Sequence, residues 1–278
     1  MACALALGFS SAASSTPILG SAQSYAILGG TTVTNTGLTT INGAVGVAPG
    51  TAVTGIGATT LFGTLHQNDT AAMLAHVDAV AASDYLSSLS FTRDLTGLDL
   101  GGMTLPAGIY RIASSAQLTG TLVLDARNTA NALFVFQIGS TLTTAGASAV
   151  NVINASADTG VFFDVGTSAV LGAGSAFAGN LIAADSITLS ASTRLLCGRA
   201  LALNGAVTLD TNLVSNDCAP SGALGTTSLD GGSLGFSGVS AVAEAPEPAT
   251  LLLLPLGLAA LAMGRKRHPS SAHMQHVA

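Results

Sequence analysis

Short apolar runs recur along most of this chain, among them Gly108 to Ala113, Gly120 to Leu124, Ala132 to Ile138, Ala149 to Ile153, Gly160 to Val165, Asn180 to Ala183, Ser186 to Leu189, Arg199 to Leu203 and Ala206 to Leu209. The spaces between them are short and filled by Gly, Ser, Thr, Asn and Asp, residues that suit a chain turning corners between strands. One stretch breaks the pattern, because Thr64 to Thr96 contains neither glycine nor proline. Asp69 or Thr70 can cap its start, and Leu74, Val77, Ala81, Tyr85 and Leu89 recur at helical spacing, which predicts a helix over about residues 68–89 with that set as its buried stripe. Such a helix is about 30 Å long and matches about six strand spacings. The apolar runs keep no fixed period of 20 to 50 residues, so any coils they form are irregular. The predicted fold is mainly β, an irregular β-solenoid flanked by one long α-helix. A β-sandwich is the second choice, disfavoured by the single helix in mid-chain.

Composition narrows the function. From Gly20 to Ser215 there are 27 threonines but no lysine, glutamate or tryptophan, and only five arginines, so no basic stripe is available for nucleic acid. Mean hydropathy is +0.59 with 8% charged residues, which argues against disorder and for one large core. The cysteines Cys3, Cys197 and Cys218 show no metal-ligand spacing, so neither a metal site nor a cofactor is expected. Cys197 and Cys218 either pair in an oxidising compartment, closing a loop worth roughly 3 kcal/mol, or sit as two small core residues.

Both ends read as targeting segments. Residues 1–17 resemble the apolar and cleavage parts of a secretory signal without its basic start. Residues 220–245 are rich in Gly and Ser and read as a flexible linker after a domain spanning 18–219. Residues 246–278 begin with Pro246-Glu247-Pro248, continue as the apolar run Ala249 to Met263 and reach Arg265-Lys266-Arg267. Fifteen apolar residues make a short transmembrane helix, and the basic cluster places the domain on the outer side. The order resembles the PEP-CTERM sorting signal of Gram-negative bacteria that make exopolysaccharide. The resemblance implies an exosortase-type processing enzyme as partner, membrane contact through the helix before processing, and residence in the cell envelope or extracellular matrix, or secretion.

The segments Tyr25 to Gly30, Gly43 to Gly50, Pro106 to Tyr110, Phe134 to Ile138 and Gly198 to Leu209 resemble the signature blocks of the DUF3494 ice-binding protein family, in family order across the whole domain. The resemblance implies a right-handed solenoid of triangular cross-section with the helix along one face, and binding of an ice crystal surface by a flat face of parallel strands without catalysis or cofactor. Members often carry Thr-Ala/Gly-x-Thr/Asn on the ice-binding strands. That pattern selects Thr36 and Thr39, Thr51 and Thr54, and the Ser-led versions with Ser148 and Asn151, Ser168, and Ser190 and Ser192. The physical case is that threonine on a rigid strand offers a hydroxyl and a methyl in fixed rotamers, so a flat array orders water at little entropic cost.

Two other classes compete. An extracellular adhesin or matrix protein binding exopolysaccharide, without ice affinity, fits the sorting signal, although the chain lacks tryptophan for sugar stacking. A polysaccharide-cleaving enzyme would need paired carboxylates, and Asp94, Asp99, Asp125, Asp158, Asp164, Asp185 and Asp210 read instead as corner-capping residues.

Overall fold

In the computed structural model the described residues are 17–156, 158–217 and 236, all within the compact unit Ser15–Ser240. The signal-like start, the Pro246-Glu247-Pro248 motif and the apolar run after it lie outside them. Among the described residues no helix is long and apolar enough to cross a membrane.

The β runs form three sheets of nine, seven and eight strands, with every strand pair parallel. The chain visits the three sheets in turn, one short strand in each, so each circuit is a coil stacked on its neighbours. The nine-stranded sheet runs Leu65–Gln67, Ala44–Val47, Tyr25–Gly29, Ala200–Ala202, Asn180–Ala183, Gly160–Val165, Leu133–Ile138, Gly108–Ile112, Arg93–Asp94. The seven-stranded sheet runs Ala116–Leu118, Leu142–Thr144, Ala169–Leu171, Ile187–Leu189, Val207–Asp210, Thr32–Thr36, Ala52–Thr54. The eight-stranded sheet runs Thr60–Phe62, Thr40–Asn42, Leu213–Ser215, Arg194–Leu196, Ala176–Ala178, Ala149–Ile153, Thr121–Asp125, Thr104–Pro106.

The stacking order is not the chain order. Tyr25–Gly29 pairs with Ala200–Ala202, Thr32–Thr36 with Val207–Asp210, and Thr40–Asn42 with Leu213–Ser215, so the first coil rests on the last. After the second coil the helix Thr70–Ser88 runs along the nine-stranded sheet, and the chain resumes stacking from the far end at Arg93–Asp94. Inside, alternate side chains from all three sheets fill one core, in which Tyr110, Phe136 and Phe163 stack and Phe177 meets Phe163 at a tilt of 56°, at centroid distances of 4.5 to 5.2 Å.

The helix begins where expected, with the Asp69 carboxylate accepting the Ala72 N–H at 2.9 Å and contacting His66 at 2.7 Å. The Ala72 N–H, with help from His66, holds that carboxyl below its ordinary range. At the other end Gln137 from the sheet donates to the carbonyls of Leu86 and Leu89, satisfying groups that a helix terminus leaves open.

The buried stripe differs from the expected one. Ala75, Ala79, Ala82 and Leu86 face the sheet, packing with Tyr25, Leu28, Val135, Phe162, Ile182 and Leu201; of the expected set Tyr85 and Leu89 pack partly against that cluster, whereas Leu74 and Val77 are 53% and 61% exposed. The reason is distance. The sheet already presents large side chains, so the helix fits against them mainly through its alanines, with Leu86 entering near its end, and Leu74 and Val77 are left outside. Polar clips complete the contact, with Ser21 donating to Asp78, His76 bonding the Leu203 carbonyl and Ser83 donating to Asp164 at 2.6 Å.

Several corner carboxylates act as the sequence suggests, since Asp94, Asp99 and Asp125 each accept the N–H two residues on. Cys197 is disulfide-bonded, and its expected partner Cys218 lies outside the described residues. Phe236, inside the stretch read as a free linker, is 2% exposed and belongs to the core.

Two outcomes follow from the helix contact. Ala79→Leu should overpack it and cost about 1 to 3 kcal/mol, lowering the thermal midpoint by several degrees, while Val77→Asp should stay within about 0.5 kcal/mol of the parent; the reverse order would place the wrong face on the sheet. Burial, reinforced by the Asp84 charge and opposed by the Ser83 hydroxyl, pushes the Asp164 carboxyl from 3.8 to about 6. A carboxyl raised in the folded state binds protons there more tightly, so stability is highest below pH 4 for this group and is lost as pH rises through about 6, by on the order of 2 kcal/mol. Asp164→Asn should therefore raise the thermal midpoint at pH 8 and narrow the gap between pH 5 and pH 8. An unchanged gap would contradict this.

Candidate functional site

The three sheets present different outer surfaces. The nine-stranded sheet is covered by the helix. The eight-stranded sheet carries an outward row of Thr121, Ala149, Ala176, Arg194, Leu213, Thr40 and Thr60, with a charge in the middle, and its Phe62 stands 64% exposed at one end.

The seven-stranded sheet is different. Its Cα register stacks Gln117, Thr143, Val170, Thr188, Thr208, Thr34 and Thr54 in one row, one residue per strand, and all seven are at least partly exposed. Five of the seven are threonine, spaced by the strand separation of about 4.8 Å over roughly 29 Å. Their neighbours in the strands point inward and are mostly apolar, including Leu142, Ala169, Leu171, Ile187, Leu189, Val207, Leu209 and Val33, so each threonine backbone is clamped by the core. Two residues earlier on the same side stand Ser115, Thr141, Ser168, Ser186, Ala206, Thr32 and Ala52, none larger than threonine and none charged. Hydroxyls meet across strands, Thr54 donating to Thr34 at 3.2 Å and Thr141 to Ser115 at 2.9 Å. The result is a flat, stiff surface whose hydroxyls and methyls repeat at the strand spacing, with one charge, Asp210 beside Thr36, at its margin.

The residues selected from sequence are scattered relative to this row. Thr54 belongs to it, Ser168 to the flanking row, and Thr36 and Ser190 to the sheet's opposite margin. Thr51 is exposed beside the last strand, its carbonyl accepting from Gln67, and Ser192 sits in a corner with φ +60°. Asn151 is on the eight-stranded sheet. Thr39 and Ser148 are buried at corners and cannot meet a surface ligand: the Thr39 hydroxyl donates to Asn35 and accepts the Asn212 N–H, and the Ser148 hydroxyl donates to the Leu118 carbonyl. The four-residue pattern misleads because residues three apart on a strand point to opposite faces, and in Thr36-Gly37-Leu38-Thr39 the chain turns at Gly37. The pattern missed Thr34, Thr143, Thr188 and Thr208. For two of them a signal was present, the apolar-Thr-apolar triplets Ile187-Thr188-Leu189 and Val207-Thr208-Leu209, whereas Thr34 and Thr143 are each followed by a polar residue.

A groove of about 390 Å³ lies beside the helix, lined by Ser83, Ser87, Arg111, Gln137 and Asp164 among others. Asp164 is the single carboxylate in its lining and is already bonded to Ser83, whereas carboxylate-pair hydrolysis needs two such groups about 5 to 9 Å apart.

The family model described as Ice-binding-like matches residues 27–215. The chain is 51% identical over 206 residues to an ice-binding protein of Nostoc sp. (strain HG1), covering 74% of this chain and 76% of that one. It is similar to the crystal structure of an ice-binding protein from an Antarctic biological consortium, with TM-score 0.68 and 37% identity over 76% of this chain and 95% of the other. It is similar also to that of an ice-binding protein from the ascomycete Antarctomyces psychrotrophicus, with TM-score 0.67 and 36% identity over 72% of this chain and 97% of the other. Over the stacked coils that carry the threonine row, then, this chain belongs to the ice-binding-like family.

Proposed function

We propose that this chain binds the surface of ice crystals through the outer face of its seven-stranded sheet, slowing recrystallisation without catalysis. The observation that carries this reading is the in-register row with five threonines among seven positions, flanked on one side by small uncharged residues and meeting a charge only at its other margin, where Asp210 stands beside Thr36. A threonine on a strand holds its hydroxyl and methyl in a preferred rotamer, so the face is already ordered before water or ice meets it and little entropy is lost on contact. Gln117 and Val170 depart from the row, and Val170, 40% exposed between Thr143 and Thr188, presents a methyl where its neighbours present a hydroxyl.

The solenoid is taken to be right-handed and triangular in section, the three sheets forming its sides. Its place is outside the cell, held in the envelope or matrix of a Gram-negative bacterium or released from it. The disulfide at Cys197 suits an oxidising compartment, and the tail at Pro246-Glu247-Pro248 supplies the sorting signal for an exosortase-type enzyme. Deleting residues 246–278 should move the chain from the envelope into the medium; continued retention on the cell would count against the sorting role.

The ice reading is tested by Thr188→Tyr and Thr208→Tyr, each of which raises a ring above the face without entering the core. Recrystallisation inhibition should fall several-fold while circular dichroism stays unchanged. Val170→Thr, which completes an unbroken run of six threonines, should match or exceed the parent. If the parent neither shapes ice crystals nor slows recrystallisation at micromolar concentration, the chain is an extracellular adhesion or matrix protein and not an ice binder.

A further inference from the structure

The edge between the nine-stranded and eight-stranded sheets is the one edge that the threonine sheet does not border, and the chain passes from the eight-stranded to the nine-stranded sheet there through Gly43, Gly179 and Cys197. At this edge sits Phe236, 56 residues beyond Asn180 in the sequence. Its side chain is buried with the core, its carbonyl accepts the Val161 N–H at 3.0 Å, and it also accepts from the Asn180 amide at 2.9 Å. The strand Gly160–Val165 pairs with Asn180–Ala183 only from Phe162 onward, so the Val161 N–H is left for a partner from elsewhere.

The seat is built, not incidental. Asn180 is fully buried, and its amide donates also to the Val161 carbonyl while its oxygen accepts from Arg199 at 2.8 Å. Arg199, itself fully buried, donates through two other nitrogens to the Gln23 carbonyl at 2.8 and 2.6 Å. Gly179 turns the chain into Asn180 with φ +113°, where a Cβ would come within 2.6 Å of the Val161 side chain. One relay of buried donors thus joins the start of the domain, its middle coils and Phe236.

We propose that this edge is a docking seam for the chain's own segment after Asp217, with Phe236 as its plug. From Asp217, which leaves the last coil at the same edge, the seat lies two strands away, about 10 Å, and the 19 residues to Phe236 reach several times that distance. The stretch read as one free spacer is therefore strapped to the domain at Phe236. The seam lies on the edge that leaves the threonine sheet uncovered. It holds whatever that sheet binds.

The test is amide hydrogen exchange at Val161 in the full chain and in Phe236→Ala. Exchange should speed at least tenfold in the variant, with the thermal midpoint lower by roughly 5 to 10 °C and the rest of the nine-stranded sheet still protected. Because the chain has no tryptophan, Phe236→Trp reports the same seat by fluorescence, with emission blue-shifted and shielded from soluble quenchers. Val161 exchanging equally fast in parent and Phe236→Ala, at an unchanged midpoint, would overturn the strap, and exchange at Val161 decides where the tryptophan reporter disagrees, since a larger ring can fail to enter the seat.

Discussion

The pairing of the first coil with the last is the contact on which the rest of the structure depends. Thr34 stands beside Thr208 although 174 residues separate them in the chain, and only the parallel register of Thr32–Thr36 on Val207–Asp210 brings them together. Without it the threonine row would be two fragments, Thr34 and Thr54 on one side and the positions from Gln117 to Thr208 on the other. The same seam continues in the other two sheets, through Tyr25–Gly29 and through Thr40–Asn42. A register slip of one residue anywhere along it would exchange Val33 for Thr34 and turn the core outward. The face is thus specified by burial of the residues between the threonines at least as much as by the threonines themselves.

The helix is what makes that order of stacking possible. It carries the chain from one end of the sheet towards the other without adding a strand, and its alanine stripe lets it lie close against the large side chains of the nine-stranded sheet. At 19 residues it spans about 28 Å, short of the nine strands beside it, and the chain from Leu89 to Thr92 covers the remainder. By occupying the outside of one sheet it leaves two for contact with the surroundings, and of those the eight-stranded sheet is broken by Arg194 and Phe62.

Much of this was legible in the sequence and some was not, for physical reasons. The strand runs, the single helix and its Asp69 cap follow from local chemistry, and the sequence resemblance pointed to the family. The buried stripe of the helix was misread because size and hydropathy favour Leu74 and Val77, whereas the deciding factor, how closely the sheet lets a helix approach, is not local. Four threonines of the row were passed over because membership depends on which strands become neighbours, and a pairing across 174 residues leaves no mark in either segment. Thr39 and Ser148 were chosen by pattern but are buried at corners, where their hydroxyls satisfy backbone groups. Phe236 was invisible in a Gly and Ser background, where composition speaks for a spacer and one aromatic ring decides otherwise.

The central claim is that the threonine row, assembled across the seam, is the surface that meets ice. Uptake of the purified protein into a slowly growing ice hemisphere tests it most directly, comparing Thr34→Lys and Thr208→Lys, on either side of the seam, with Thr121→Lys on the eight-stranded sheet. The account predicts that both row variants are excluded from the ice while Thr121→Lys enters it like the parent. Exclusion of Thr121→Lys with retention of the other two would contradict it.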